Sequence, residues 1–98
     1  MVVEWLKFHV PQRLQTRFLE ADERIRTSVL AAQPGFIRKQ VWQELEFPNV
    51  IILVIHWASR TQWEEVPRML LRATEAKFRA ELGQEFTLLE SKFFEVAE

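Results

Sequence analysis

Hydrophobic and polar positions along the chain change period several times, and each change marks an element. Residues 2–10 read as a first strand: Val2, Leu6, Phe8 and Val10 share one parity, broken by Glu4, and Val3, Trp5, Lys7 and His9 share the other. Pro11 stops the strand and suits the first turn of a helix. Over residues 11–32 the period becomes helical, with Leu14, Phe18, Ala21, Ile25, Val29 and Ala32 at three- and four-residue spacing. Gln33-Pro34-Gly35 ends that helix. Residues 36–46 and Val50–Trp57 read as two strands of a hairpin around the turn dipeptide Pro48-Asn49. Ser59-Arg60-Thr61-Gln62 and Thr61-Gln62-Trp63-Glu64 both fit a capping box, so a helix begins near residues 59–61. Pro67 interrupts or restarts it, and Leu71, Thr74, Phe78 and Leu82 carry the helical spacing on to Gly83, a natural C′ residue. A last strand falls within residues 86–96, and the stretch that reads best as strand is 92–96, KFFEV.

The order β-α-β-β-α-β predicts an α+β, ferredoxin-like fold over residues 1–98, a single domain with a four-stranded antiparallel sheet and both helical segments on one face. Val50–Trp57 adds a constraint. Ile51, Leu53, Ile55 and Trp57 are apolar on one parity, and Val50, Ile52 and Val54 on the other, with only His56 polar. A half-exposed strand alternates. This one reads as buried on both faces, and 98 residues supply helices for only one. The expectation is a homodimer through the open sheet face.

Composition removes several function classes. Thirteen basic and 14 acidic residues give a net charge of −1, with no basic surplus to hold a nucleic acid backbone. No cysteine is present, so there are no disulfides, thiolate catalysis or zinc ribbons. The opening MVVEWLKFHV has the form of a strand and not of a signal peptide, and the longest apolar run is far too short to span a membrane. The expected location is the cytoplasm. With two glycines in all, no phosphate-cradling loop can be drawn, nor a Ser/His/Asp order or a pair of catalytic carboxylates.

The segment PGFIRKQVWQELEFPNVIILVIHWASRTQWEEV resembles the antibiotic biosynthesis monooxygenase family of the dimeric α/β-barrel superfamily, through Pro34-Gly35-Phe36 at a strand entry, Trp57 at the end of an apolar strand, and Ser59 before a helix. The likeness is to small bacterial members, cyanobacterial ones among them. It implies a homodimer in which two sheets face each other around a ligand cavity. It also implies monooxygenase-like chemistry on an aromatic or quinone-like compound, with no cofactor. Haem-degrading members carry an Asn on the first strand and a Trp and a His in the second helical region. Here the only Asn is Asn49, no His follows His56, and Trp63 alone could stand for the Trp, so haem is not the expected substrate.

By parity, His9, His56 and Lys7 face the inter-sheet side and are the catalytic candidates, since a His titrates near neutral pH. Two wet or hydrogen-bonded histidines at strand ends are the plainer reading. Neither His has a carboxylate at metal-ligand spacing, so no metal is expected. Trp5, Trp42 and Trp63 could wall a flat aromatic pocket; ordinary packing is the plainer reading, more so for Trp57. Lys7, Arg38 and Lys39 could steady a substrate anion, or sit solvated at strand edges. The expected pocket lies between the inner sheet faces and the second helical segment, because the Leu6/Phe8 and Ile51/Leu53/Ile55/Trp57 surface looks like plain core. Two functions stay open: a small-molecule enzyme, or a non-catalytic ligand-binding or assembly module on the same scaffold.

Overall fold

A computed structural model describes residues 1–97. The strands are β1 (Val2–His9), β2 (Phe36–Gln43), β3 (Val50–Trp57) and β4 (Thr87–Glu95); the α-helices are α1 (Gln12–Ala21), α2 (Ser28–Ala31), α3 (Arg60–Glu64) and α4 (Arg68–Leu82). The strands form one four-stranded sheet in the order β2-β3-β1-β4, with every neighbouring pair antiparallel. The fold is the expected α+β, ferredoxin-like one.

Local chemistry explains most boundaries. The helix after β1 has no side-chain cap of its own; Asn49, in the hairpin turn, accepts from the Gln12 amide at 3.1 Å, and its carbonyl accepts from the Val10 amide at 2.7 Å. One turn residue thus ties β1, the hairpin and the helix start together. The first of the two capping boxes is the one used: Ser59 Oγ accepts from the Gln62 amide at 3.2 Å. Pro67 separates α3 from α4, and Gly83 closes α4 in the left-handed region at φ 75°.

Two features had no sequence signal. Between α1 and α2 the helix widens into a π-helical turn, Asp22–Thr27. The last strand, Thr87–Glu95, lies within the expected 86–96 but begins five residues before the expected 92–96, and is offset against β1 by an irregularity at Lys7/Phe8.

Register assigns the faces. Glu4 lies opposite Ile55, Leu6 opposite Leu53 and Phe8 opposite Ile51, and Lys39 of β2 flanks Ile55 from the other side. This parity faces the helices. Its core gathers at two ends. Phe18 is fully buried and meets Phe78 and Phe86 edge-on, with ring centroids 5.2 and 5.0 Å apart. At the other end Trp57 packs with Val2, Ile55 and Val66. The opposite parity carries Val3, Trp5, Lys7 and His9 against His56, Val54, Ile52 and Val50. All eight residues of β3 are buried within one chain, Val54 and its neighbours being covered by Val3 and Trp5. The double-sided burial therefore needs no partner to arise.

Candidate functional site

A cavity of about 420 Å³ lies between the two core ends, on the helix side of the sheet. Its walls are aliphatic and aromatic, among them Leu6, Phe8, Leu30, Leu53, Trp57 and Trp63. This is the surface that looked like plain core in the sequence. Two charged residues on this helix-facing parity, Glu4 and Lys39, interrupt its apolar floor.

Lys39 is not at a solvated edge. Its side chain is 3% exposed and its ammonium lies 2.6 Å from Asp22 Oδ2, itself 2% exposed, off the line of an ideal hydrogen bond. The π-helical turn supplies this partner, and such turns concentrate at functional sites. The same turn supplies Arg26, whose Nη1 is 3.3 Å from Asp22 Oδ1. Arg26 also makes a two-pronged pair with Glu75 of α4 at 2.9 and 2.8 Å and lies 3.7 Å from the centre of the Phe78 ring. A chain of alternating charges, Lys39–Asp22–Arg26–Glu75, thus crosses the cavity roof from β2 to α4.

Glu4 stands apart from that chain. It is partly buried, and among the described residues it has no ion-pair partner. Burial pushes its pKa above the ordinary carboxyl value; the indole N–H groups of Trp57 and Trp63 and the charge of Lys39 pull the other way without cancelling it. Trp57 Nε1 is buried and closes no hydrogen bond of ordinary geometry. Trp63, held on α3, packs on Phe93 with ring centroids 4.2 Å apart, and Phe93 lies opposite Glu4 in the β1–β4 ladder. Sequence reasoning passed over Glu4 as an exception in an apolar strand. A charged residue at a core-parity position was the available signal.

The other sequence candidates lie on the open face. Trp5, Trp42 and His56 line a shallow depression there with Val3, Val54 and Phe94. His56 Nδ1 is buried without a partner; burial first, and the charge of Arg38 second, lower the His56 pKa. His9 is exposed and lies opposite Val50, while His56 is six positions further along that strand, roughly 20 Å away at strand rise. The structure does not bring the two histidines together, and Lys7, opposite Ile52 and Glu90, lines neither hollow. Of the residues singled out, Trp63, Lys39 and Trp57 line the larger cavity. No group of three or more His, Asp or Glu among the described residues is placed to hold a metal ion. None of the described helices is long and apolar enough to cross a membrane.

The family model for antibiotic biosynthesis monooxygenases matches residues 1–66. Comparison with curated proteins finds no match. Among solved structures, a mutant of SnoaB, a cofactor-independent oxygenase from Streptomyces nogalater, superposes with a TM-score of 0.74 at 20% identity, covering 99% of this chain and 93% of that one. A candidate antibiotic biosynthesis monooxygenase from Bordetella bronchiseptica gives 0.75 at 14% identity over 99% and 97% of the two chains. One from Deinococcus radiodurans gives 0.72 at 16% identity over 100% and 94%. At such identities these likenesses bear on the fold alone.

Proposed function

The chain belongs to the antibiotic biosynthesis monooxygenase family, and from that premise we propose that it is a small-molecule enzyme that oxidises an aromatic or quinone-like compound with molecular oxygen and no cofactor. The observation that carries this reading is the helix-side cavity: about 420 Å³, within the range of small-ligand sites, walled by apolar side chains and holding one carboxyl without a counter-ion. Apolar walls exclude water, and a substrate oxyanion formed there would be an electron-rich partner for oxygen. Trp57 and Trp63 give the flat walls that a planar ring needs. SnoaB, a cofactor-independent oxygenase of the same fold, supports the analogy. Oxygen uptake with a panel of quinols and polycyclic phenols tests it. At least one compound should consume oxygen above its uncatalysed rate, and Val29→Trp, which fills the cavity, should abolish the excess. Binding without oxygen uptake would move the protein to the non-catalytic binding reading.

The assembly belongs to the same proposal. The open face carries Trp42 and Phe94, 47% and 48% exposed, around the Trp5 depression. A second copy laid on this face would bury both rings. Light scattering at micromolar concentration should give twice the chain mass; the mass of one chain would overturn the dimer.

A further inference from the structure

Six charged side chains line the helix-side cavity: Glu4, Arg26, Lys39, Glu75, Arg79 and Glu85. They balance in formal charge, but not in pairing. Arg26 is held by Glu75 at 2.8 Å, Lys39 by Asp22 at 2.6 Å, and Arg79 by Glu85 at 3.1 Å. Each cation already faces a carboxylate. The acid left over is Glu4, which has two indole N–H groups nearby and feels the charge of Lys39 without pairing with it. A ligand therefore enters a cavity whose positive charges are spoken for and whose one uncommitted charged group is an acceptor. An anion among the buried groups would compete with the carboxylates already facing Arg26 and Lys39 or face Glu4 directly, Arg79 being held only in a half-exposed pair; a neutral hydroxyl would find an acceptor waiting.

We propose that Glu4 is the residue that receives a ligand hydroxyl, and that the cavity selects neutral hydroxyl donors over anions of the same shape. The inference rests on the cavity being the ligand site. In turnover the ligand O–H bond breaks, a carboxyl O–H bond forms on Glu4, and the electron pair stays on the ligand oxygen as an aryloxide. Trp57 and Trp63, with N–H groups already turned to this corner, are placed to share the resulting negative charge.

Three naphthalenes of one shape separate the terms: 2-naphthol (neutral donor), 2-methoxynaphthalene (no donor) and 2-naphthoate (anion), titrated by calorimetry at pH 7 into wild type and Glu4→Gln. In wild type, 2-naphthol should bind at least tenfold tighter than either of the others. In Glu4→Gln, its affinity should fall about tenfold while that of 2-naphthoate rises, so that the preference collapses. Circular dichroism and thermal melting verify the fold of the variant, and the wild-type series stands without it. A naphthoate that binds wild type as well as naphthol, or a preference that survives Glu4→Gln, overturns the inference and leaves the cavity reading intact. Failure of all three to bind wild type overturns both.

Discussion

The two faces of one sheet use polar residues in opposite ways. On the open side, the buried His56 apart, polar groups lie within reach of water: His9 at a strand end and Arg38 on an edge strand are exposed, and Lys92 pairs with Glu90 at 2.8 Å with both half-exposed. Water solvates such groups whatever their neighbours, so their presence costs little and says little. On the helix side, Glu4 and Lys39 sit where water is scarce, and each requires an arrangement. Lys39 has one in Asp22, delivered by a widened helical turn; Glu4 has two indole N–H groups and a raised pKa. A polar side chain informs in proportion to what its burial costs. The histidines drew notice for their chemistry, yet the acid and the lysine on the covered face say more about the molecule.

The sharpest way to break this contrast is Asp22→Ala. It strands Lys39 in a closed environment and should cost about 3–5 kcal/mol in denaturant unfolding. Asp22→Ala combined with Lys39→Met should recover most of that loss; if the single variant costs under about 1 kcal/mol, the pair behaves like a surface bridge and the two faces do not differ. On the open side, Trp42→Ser with Phe94→Ser should leave monomer stability nearly unchanged. The same double variant should weaken self-association by about 2 kcal/mol or more, the scale of aromatic anchors; sedimentation equilibrium reads this, and an unaltered constant places the interface elsewhere.

Glu4→Gln should have the smallest effect and the opposite sign, stabilising the fold at pH 7 by roughly 0.5–2 kcal/mol, as substitutions that relieve functional strain do. The pH dependence follows from the raised pKa. The folded chain holds this proton to higher pH than the unfolded chain does, so the Glu4 contribution to stability is fullest below the ordinary carboxyl pKa and is lost as pH rises through the raised one. Wild type and Glu4→Gln should therefore melt alike in acid and diverge on the way to neutrality. Curves separated equally at all pH values would show that Glu4 is not the titrating group.

The fold was legible because period and punctuation agreed. Alternation set β1, Pro34-Gly35 and Pro48-Asn49 bracketed β2, and Ser59, Pro67 and Gly83 placed the second helical region. The faces of β1 and β3 also followed from parity. The cavity did not, because an apolar list such as Leu6, Phe8, Leu53 and Ile55 is the same whether the space above is filled or empty. That depends on how far α4 and the first helix stand from the sheet, a tertiary quantity that no strand pattern records. The π-helical turn was invisible for a related reason. Leu14, Phe18, Ala21 and Ile25 keep ordinary spacing, and the turn is required by where Asp22 and Arg26 must point, a tertiary demand without a local residue signature.

That turn makes the length of the chain part of its chemistry. A π turn holds one residue more than the α-helix it interrupts, and one residue is about 100° of helical phase. Loss of a single codon between Asp22 and Thr27 could leave an uninterrupted helix of good propensity. Yet it would swing Val29 and Leu30 away from the cavity or drag Asp22 from Lys39. A lineage that shortened this helix would disturb either the cavity wall or the Lys39–Asp22 pair, so the spare residue is a constraint on length that the side chains alone do not reveal.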